Sequence, residues 1–486
     1  MARQRPHRPE PRFEKGYFMP AVPVPDPRNL NEYRWHDMFS TISKVVRNPL
    51  ESFNHSQFKD PVTQYKLLGN HFTTINDLDV IKHCFIDNRD NYRFNVIRQK
   101  LLRSILGDGL ITAEGEKWKH ARHAMSPMFT PRNVKSFAQV MKTTIAREMD
   151  NLFLGNPESK APEARSKLSA KFSALTYLVL SDTLFSGDID REQSHVINDV
   201  ATALLYVGRP DPLDLFQAPD WIPRLSRMKG LKAIKSLRLM IGKVLQKRKS
   251  EKQSGKDIPD DFLTRLLNVG DPDHSGAEDK APFSDTEIED HLLSFIGAGH
   301  ETTARALSWL FYLLSNDTDS RDRFEAEIDA LNMEGLAPEK WINHMPFAMA
   351  CFEETMRLFP PAPFIVREAI DQDRFKTVTI PAKGILFVNT WILHRHEALW
   401  DDPSLFKPVR FLEDAKTKIG RFQYLPFGLG ARVCIGQRFA MQEAAILMAM
   451  LTKRYRFDYT DDSPPWPKLR ITIQAENNMP MRVTRR

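Results

Sequence analysis

The chain has 486 residues, of which 42% are hydrophobic and 27% charged, and its formal net charge is +7. This composition is typical of a globular protein and excludes the disordered and collagen-like classes. The three cysteines, Cys84, Cys351 and Cys434, form no CxxC pair, which argues against a disulfide scaffold or a zinc cluster and favours a reducing compartment. A mild basic excess is compatible with nucleic acid, an anionic membrane or an acidic protein partner, and equally with no specific role.

The first thirty residues are basic and rich in proline. We predict an extended arm over residues 1–30, because Pro20, Pro23, Pro25 and Pro27 favour polyproline geometry, and a single domain over residues 31–486. The N-terminus lacks the apolar core of a secretory signal, and no run of 18 apolar residues predicts a transmembrane helix. We therefore expect a cytoplasmic protein, with peripheral membrane contact as an open alternative.

The elements after the arm are mostly helical. Residues 65–76 favour a hairpin that turns at Gly69-Asn70, and the sequence DLDVIKHCFID predicts a short helix capped by Asp77. Helical patterns follow at about 114–129, 131–153, 165–184, 192–207 and 222–252. Strand-like runs come late, in TVTIPAKGILFVNT and LRITIQ. Neither a repeat nor a long linker divides the chain, so we predict a mainly α fold with small β-sheets.

Residues 224–252 form an unusually basic segment with eleven Lys or Arg residues and one Glu. Apolar residues recur there at helical spacing, as at Met228, Leu231 and Ile234. The favoured interpretation is a surface helix with a solvated basic face. Contact with anionic lipid is the alternative, which the apolar residues just before the helix would assist. Those residues are Leu213, Leu215, Phe216 and Trp221.

A long helix is predicted from Ser284 to Asn316. Ser284 and Glu287 fit a capping box at its start, and 32 residues at ~1.5 Å each would cross a whole domain. Glycine inside a helix costs roughly 1 kcal/mol relative to alanine, so Gly297 and Gly299, with the small Ala298 between them, indicate that a flat ligand approaches the backbone.

The same helix carries an acid next to an alcohol. The hydroxyl of Thr302 can reach the carbonyl of Ala298, four residues earlier. The ionised carboxylate of Glu301 would cost free energy in this apolar stretch unless it has a role in the chemistry or an ion-pair partner. Either a proton relay through Glu301 and Thr302 or a kinked helix with a satisfied carboxylate explains the pattern.

The stretch FGLGARVCIG, from Phe427 to Gly436, surrounds one cysteine with glycines and an arginine. The strongly helical sequence that follows places Cys434 at a helix N-terminus, which favours an anion. Gly428 and Gly430 allow a tight turn, and Arg432 could bind a carboxylate of a cofactor. A buried free cysteine explains none of this spacing, whereas haem with an axial thiolate explains all of it.

A third group of residues favours an internal ion pair. Glu354 and Arg357 are i,i+3 neighbours on a helix that ends at Pro360-Pro361. Such pairs are common on surfaces and are weak evidence alone. Arg410 is a candidate third member, and the three residues would then form a buried ion-pair cluster that fixes the fold, called here the structural lock.

These motifs resemble those of the cytochrome P450 family. Its haem-binding signature F-x-x-G-x-R-x-C-x-G is matched in full, and the other motifs follow the family's order over about residues 60–486. The resemblance matches residues 298–303 to the oxygen-binding helix and Glu354, Arg357 and Arg410 to the structural lock, although Val409 replaces the family's usual Glu. Further residues resemble family ligands of the haem propionates: Trp118, Arg122 and Arg367.

The resemblance implies a cytochrome P450 fold with haem b between the long helix and the helix after the cysteine loop. It implies Cys434 as axial ligand and metal site, with Phe427, Gly436 and Arg432 around the cofactor. The implied activity is insertion of one oxygen atom of O2 into a lipophilic molecule, by hydroxylation or epoxidation, and Thr302 and Glu301 would deliver protons. The alternatives are a P450-type isomerase or dehydratase and a non-catalytic haem sensor.

The chain stops after Arg486, so we expect electrons from a separate ferredoxin or flavodoxin and its reductase, not from a fused domain. Such an acidic partner would suit a basic face around the cysteine. That face would carry Lys117, Lys119, Arg132, Lys135, Lys416, Lys418 and Arg438. The soluble N-terminus resembles bacterial members, whereas AGHETT resembles fatty-acid hydroxylases and microsomal-type enzymes. No nucleic acid is expected as a partner.

The segments that contact substrate in this family are mostly apolar here, which implies a lipophilic substrate. The residues placed in them are Tyr92, Phe94, Val96, Phe295, Phe364, Ile365 and Met479. Fatty acids, terpenoids and polyketides all remain candidate classes.

Overall fold

The computed structural model describes residues 8–28, 35–67, 69–95, 102–154, 166–188, 228–270 and 281–486. The helix predicted at 192–207, the start of the basic helix at 222–227 and Val96 lie outside these ranges. Within them, every helix is too short or too polar to span a lipid bilayer.

Helices make up most of the fold, as the sequence predicts. In chain order they are α1 (Trp35–Arg47), α2 (Leu78–Lys82), α3 (Gly115–Met125), α4 (Pro131–Leu154), α5 (Leu168–Phe185), α6 (Met228–Gln253), α7 (Phe262–Leu267), α8 (Asp285–Gly299), α9 (Glu301–Asn316), α10 (Thr318–Asp329), α11 (Pro346–Leu358), α12 (Thr390–Leu393), α13 (Glu413–Lys416) and α14 (Gln437–Arg454). The predicted capping box is confirmed, because the side chain of Ser284 accepts from the N–H of Glu287 while the Glu287 carboxylate accepts from the N–H of Ser284.

The strands are short and form small sheets. They are β1 (Arg12–Glu14), β2 (Tyr17–Met19), β3 (Val62–Leu67), β4 (Asn70–Ile75), β5 (Tyr92–Arg93), β6 (Ser166–Lys167), β7 (Phe364–Ala369), β8 (Asp373–Phe375), β9 (Val378–Ile380), β10 (Ile385–Asn389), β11 (Tyr455–Tyr459), β12 (Pro467–Leu469), β13 (Ile473–Ala475) and β14 (Pro480–Arg485). The predicted hairpin is β3–β4, with Leu67 opposite Asn70 and Gly69 at φ +81° in the turn.

The largest sheet has five strands in the order β3-β4-β10-β7-β5. Strand β10 runs parallel to β4 and antiparallel to β7, with Leu386 opposite Arg367 and Val388 opposite Ile365. This register fixes β7, which carries two residues expected at the substrate and one expected at the haem, against the interior of the fold.

The main apolar core lies between the helices α4, α5, α9, α11 and α14. Trp309 of α9 stacks on Phe359 with ring centres 3.9 Å apart, and both rings are buried. Such burial of large aromatic side chains supplies much of the hydrophobic stabilisation of a fold. The long central helices are therefore packed into the core along much of their length.

The prediction of an extended N-terminal arm is wrong for residues 12–19. These residues form the β1–β2 hairpin, which turns at Lys15 and Gly16, both in the left-handed region at φ +52° and +78°. The hairpin is fixed to the domain, since the N–H of Phe406 donates to the carbonyl of Phe18 at 2.8 Å and the ammonium group of Lys15 donates to Asp402 at 2.5 Å.

The solvated basic face predicted for 224–252 is only partly correct. The guanidinium of Arg248 is fully buried between Asp188 and Asp261. Met228, Leu231 and Leu239 are instead exposed on α6.

Candidate active site

Cys434 lies between a glycine-rich turn and the start of α14. Its N–H donates to the carbonyl of Phe427 at 2.9 Å, and Gly436 is the N-cap of the helix. Gly430 has φ +66°, and a Cβ there would lie 2.8 Å from the carbonyl oxygen of Phe85. The glycine thus permits both the turn and the close approach of this loop to the neighbouring backbone.

The sulfur of Cys434 faces a cavity, so the side chain is exposed there although protein surrounds it on its other sides. Burial raises the pKa of the thiol, while the N–H of Gly436 and the positive charge of Arg122 act in the opposite direction. These two groups favour the thiolate but do not outweigh burial, so a bound cation or metal would be needed to hold the sulfur ionised at neutral pH.

The cavity has an empty volume of about 1950 Å³, including its opening to solvent. Its walls are mostly apolar and come from helices, from β7 and from the cysteine loop. The structure brings together most of the predicted site residues in this one cavity. Those lining it are Phe94, Trp118, Arg122, Phe295, Ala298, Gly299, Thr302, Phe364, Ile365, Arg367, Phe427, Arg432, Cys434 and Gly436.

Arg432 is half-buried beside aromatic rings. Its guanidinium carbon lies 4.0 Å from the ring centre of Trp118 and 4.5 Å from that of Phe94. One terminal nitrogen donates to the carbonyl of Ala113 at 2.8 Å, whereas the other has no hydrogen-bond partner among the described residues. Burial, with the nearby cation Arg367, lowers the pKa of Arg432 to about 9. A carboxylate would satisfy both the free nitrogen and the charge.

Two further arginines accompany it. Arg367 of β7 lies 4.6 Å from the ring centre of Phe94 and donates to the carbonyl of Val366. Arg122 of α3 is part-buried, which lowers its pKa. Three cations in one largely apolar cavity indicate a bound anion.

The predicted long helix is interrupted at His300, where α8 ends and α9 begins. The Nδ1 of His300 lies 2.6 Å from the carbonyl of Ile296, and Thr302 donates to the carbonyl of Ala298 at 3.0 Å. The carbonyl of His300 itself accepts from the hydroxyl of Thr176 on α5 at 2.9 Å. Side chains thus replace part of the helical backbone bonding at this break.

Gly299 is needed for the packing of two helices as well as for access of a ligand. A Cβ at this position would lie 2.9 Å from a methyl group of Leu180 on α5. The glycine therefore lets α5 pack close to the helix break while also lining the cavity.

Glu301 and Thr302 are placed differently. Thr302 lines the cavity, whereas Glu301 does not and forms an ion pair of 2.9 Å with Arg305, one turn later. Both partners of this pair are 13% exposed. This is the geometry of the kinked helix with a paired carboxylate, so a relay would require Glu301 to leave Arg305.

The structural lock has the expected geometry. Glu354 and Arg357 are fully buried and joined by two hydrogen bonds of 2.7 and 2.8 Å, and the Nε of Arg410 lies 3.4 Å from Glu354. Arg357 also donates to the carbonyls of His394, Pro403 and Leu405. The lock therefore fixes the loop that precedes the cysteine segment.

Two predicted substrate residues do not line the cavity. Tyr92 is buried in a separate apolar cluster, where its hydroxyl donates to Asp373 at 2.6 Å. Met479 is fully buried in the main core, and its carbonyl accepts from the N–H of Leu168. Both assignments placed a short segment by its order in the chain, which does not determine which way its side chains point.

Sequence reasoning also missed residues that line the cavity, among them Phe129, Leu180, Leu184, Phe352 and Thr303. Thr303 faces Glu443 of α14, which is fully buried. The hydroxyl favours the ionised form of the glutamate, but no hydrogen bond of normal geometry reaches either of its oxygens from the described residues. A glutamate inside the apolar sequence AMQEAAILMAML was a visible signal.

Comparison with known proteins identifies the class of this fold and site. The family model for cytochrome P450 matches residues 34–480. Cytochrome P450 3A30 of Fundulus heteroclitus is 30% identical over 387 residues, which is 78% of this chain and 75% of the relative. The chain belongs to the cytochrome P450 family.

Other relatives come from distant organisms. LUTEIN DEFICIENT 5, chloroplastic, of Arabidopsis thaliana is 27% identical over 85% of this chain and 70% of its own length, and cyclooctatin synthase of Streptomyces melanosporofaciens is 29% identical over 77% and 78%. The crystal structure of the cytochrome P450DA heme domain shares the fold, with a TM-score of 0.77, 20% identity and coverage of 96% of this chain and 98% of that one.

Membership settles the predicted fold class and the general chemistry. The protein is a haem-thiolate monooxygenase, an oxidoreductase of the family that carries haem b on an axial cysteine thiolate.

Proposed function

We propose that Cys434 is the axial ligand of the haem and that the enzyme oxygenates a lipophilic small molecule with electrons from a separate protein. The observation that carries this assignment is the Cys434 sulfur facing the same cavity as three part-buried arginines. The unpartnered nitrogen of Arg432 fits a haem propionate, with Arg122, Arg367 and Trp118 completing that end of the cofactor site.

The bound haem would supply activation of O2, which the electron-donating thiolate promotes. The chain's own residues would shape the reaction around it. Ala298 and Gly299 leave space beside the helix break, and Phe427 and Gly436 fix the loop around the sulfur. Thr302 would hold a proton at Oγ1 next to the cavity, and Glu301 would resupply it after leaving Arg305.

A test of the ligand assignment uses Cys434→Ser with Cys84→Ala as the matched control, because Cys84 is buried in another cluster. The reduced CO complex of the native protein should show the strongly red-shifted Soret band of a thiolate ligand. We expect Cys434→Ser to lose that band and Cys84→Ala to keep it. A histidine-type spectrum in the native protein would contradict the assignment.

The proton role of Thr302 is tested by Thr302→Ala. We expect product formed per NADPH consumed to fall by on the order of tenfold, since a positioned proton donor contributes at least that much. Thr302→Ser keeps the hydroxyl and serves as control. An unchanged yield in Thr302→Ala would remove the residue from proton delivery.

The apolar walls support a lipophilic substrate, with Phe94, Phe295, Phe364 and Ile365 as its contacts. Fatty acids, terpenoids and polyketides can be compared by the shift in haem spin state when they bind. We expect at least one of these classes to give a saturable shift and charged, compact metabolites to give none.

The electron donor is proposed to be an acidic ferredoxin or flavodoxin that docks on the basic cysteine face. Arg132, Lys135, Lys418 and Arg438 are exposed, while Lys416 is paired with Glu353. Rates of reduction should fall steeply with added salt. A rate independent of salt would contradict this partner, and Lys135→Glu should slow reduction whereas Lys135→Arg should not.

A further inference from the structure

The segment from His83 to Asp87 is a π-helix, which follows α2 and precedes β5. The N–H of Asn88 donates to the carbonyl of His83, five residues earlier, at 2.8 Å, which is the wider hydrogen-bond spacing of this helix type. Such helices are rare and short, and they occur frequently at functional sites. Residues 83–87 do not line the cavity that Cys434 faces, so any role in the reaction has to act through their neighbours.

Asp373 of β8 holds both ends of the π-helix with one oxygen, Oδ2. The Nε2 of His83, at the start, lies 3.0 Å from that oxygen, and the side-chain N–H of Asn88, just after the end, donates to it at 3.0 Å. The hydroxyl of Tyr92 donates to the same oxygen at 2.6 Å. The ring of Phe375 on β8 stacks on the imidazole of His83 with centres 4.2 Å apart. One carboxylate therefore joins the π-helix to both β5 and β8.

The Asp373 carboxylate is ionised at neutral pH and largely shielded from water. Its side chain is 10% exposed. Burial raises the pKa of this carboxyl, but the hydrogen bonds from Tyr92 and Asn88, together with His83, outweigh burial and hold the pKa below its usual value of 3.8. Hydrogen bonds to an ionised acceptor are roughly twice as strong as neutral ones. The carboxylate thus fixes the π-helix more firmly than a neutral acceptor would.

The middle of the π-helix abuts the turn that precedes Cys434. The carbonyl oxygen of Phe85 is so close to this turn that a Cβ on Gly430 would lie 2.8 Å from it. The ring of Phe85 is buried in one apolar cluster with Leu425 and Leu429. Close-packed interiors transmit displacements, so the π-helix sets the position of this turn from one side.

The ring of Phe85 also lies beside a cation of the expected propionate site. The guanidinium carbon of Arg367 is 5.6 Å from the ring centre of Phe85 and 4.6 Å from that of Phe94. A guanidinium is attracted to a ring face within about 6 Å, so the two rings restrict where Arg367 can lie. The π-helix therefore contacts both the loop of Cys434 and an arginine of the cavity.

We propose that Asp373 is a positioning residue for the Cys434 loop, and that it acts by holding the π-helix against Gly430. Asp373 does not line the cavity itself. The held turn keeps the N–H of Gly436 directed at the sulfur, a contact that favours the thiolate. Tyr92, which was expected at the substrate, belongs to this anchor. The inference rests on the proposed function in one respect, which is that Cys434 ligates the haem iron.

The experiment compares the reduction potential of the haem iron in variants of the holoprotein. Asp373→Ala removes the acceptor of all three hydrogen bonds, whereas Asp373→Asn keeps a carbonyl oxygen that can accept them. Reduction adds negative charge to the iron and its thiolate, and a displaced N–H of Gly436 would stabilise that charge less. We expect reduction to become about tenfold less favourable in Asp373→Ala, a fall of about 59 mV, with an intermediate value in Asp373→Asn.

Lys376→Gln is the matched control on the same β8–β9 hairpin. Lys376 pairs with Asp77 and Asp79 at the start of α2, at 3.1 and 2.8 Å. The substitution loosens the hairpin but leaves the hydrogen bonds of Asp373 in place, so we expect the native potential. A fall as large as that in Asp373→Ala would mean that any loosening of the hairpin has this effect, and it would overturn the proposal.

Asn88→Ala tests the path with Asp373 intact and serves if Asp373→Ala does not fold. We expect a smaller fall in potential, since one of the two ties to the π-helix remains. The double variant of Asn88→Ala and Asp373→Ala should have the potential of Asp373→Ala alone, because both substitutions remove the same contact. A native potential in Asp373→Asn and Asn88→Ala, or effects that add fully in the double variant, would overturn the proposal.

Hydrogen exchange of the backbone amides gives a second readout, which does not depend on electron transfer. In Asp373→Asn we expect faster exchange both in residues 83–88 and in residues 428–436. Faster exchange in residues 83–88 alone would overturn the coupling to the cysteine loop, even if the haem assignment holds. A native CO complex without the thiolate-type band would contradict the proposed function, and the exchange rates would still decide whether Asp373 holds the loop.

Discussion

Glu354 and Glu443 are both fully buried glutamates on helices, yet their surroundings differ. Glu354 accepts two hydrogen bonds from Arg357 and one from the N–H of Lys407, with Arg410 at 3.4 Å. Glu443 has the hydroxyl of Thr303 beside it but accepts no hydrogen bond of normal geometry from the described residues, and burial raises its pKa to about 8. One glutamate is thus an ion-paired anchor, whereas burial favours the protonated form of the other.

The largest effect is expected from breaking the anchor. Arg357→Ala would leave the charge of Glu354 buried without its main partner, which typically costs about 3–5 kcal/mol of unfolding free energy. We expect little folded holoprotein, measured by denaturant unfolding and haem content. Arg265→Ala, at an exposed pair, is the control and should change stability by well under about 1 kcal/mol.

The protonated glutamate is expected to make stability depend on pH. Between its usual pKa of 4.5 and the folded value of about 8, the folded protein keeps a proton that the unfolded chain has lost. The contribution of Glu443 is therefore fully present below pH 4.5 and is lost as the pH rises through about 8. Glu443→Gln should remove a slope of roughly 1.4 kcal/mol per pH unit.

The measurement is denaturant unfolding of the holoprotein at several pH values in this window. Comparison with the native protein removes the opposing slopes of other groups, such as His291, whose pKa burial lowers to about 4. Identical slopes in both proteins would mean that Glu443 is already ionised.

The smallest effect is expected at Thr303. Its hydroxyl favours the ionised form of Glu443, so Thr303→Val should raise the pKa of the glutamate slightly and change stability by about 1 kcal/mol or less. The carboxyl stretch of protonated Glu443 in infrared spectra reports the shift, with Thr303→Ser as control. A lower pKa in Thr303→Val would reverse the assigned role of the hydroxyl.

Local sequence predicted the parts of the site that depend on neighbours in the chain. The turn at Gly428 and Gly430, the N-terminus of α14 and the pair of Glu354 with Arg357 all lie within short segments, and the structure has them as predicted. A kinked helix with a paired carboxylate was one of the two predicted alternatives, but the hydrogen bond from Thr176 of a distant helix to the carbonyl of His300 could not be predicted from local sequence. Glu301 and Arg305 are at i,i+4 spacing, so their ion pair is the part of this region that local sequence favours.

Order in the chain was a weaker guide. Arg367 reaches the cavity because β10 fixes the register of β7, whereas Tyr92 points to Asp373 and away from the cavity. Successive side chains of a strand point to opposite faces. The family motif therefore predicts where the segment lies but not which of its side chains face the cavity.

The β1–β2 hairpin can dock on the domain only after the much later residues that it contacts have been synthesised. Its partners at Asp402 and Phe406 lie 387 residues or more after the first hairpin contact. The ribosome makes chains from the N-terminus, at about 5–20 residues per second, so the hairpin waits roughly 20–80 s for its binding site. A short hairpin is marginal alone in water, and this one therefore closes over the Arg357 region only among the last steps of folding.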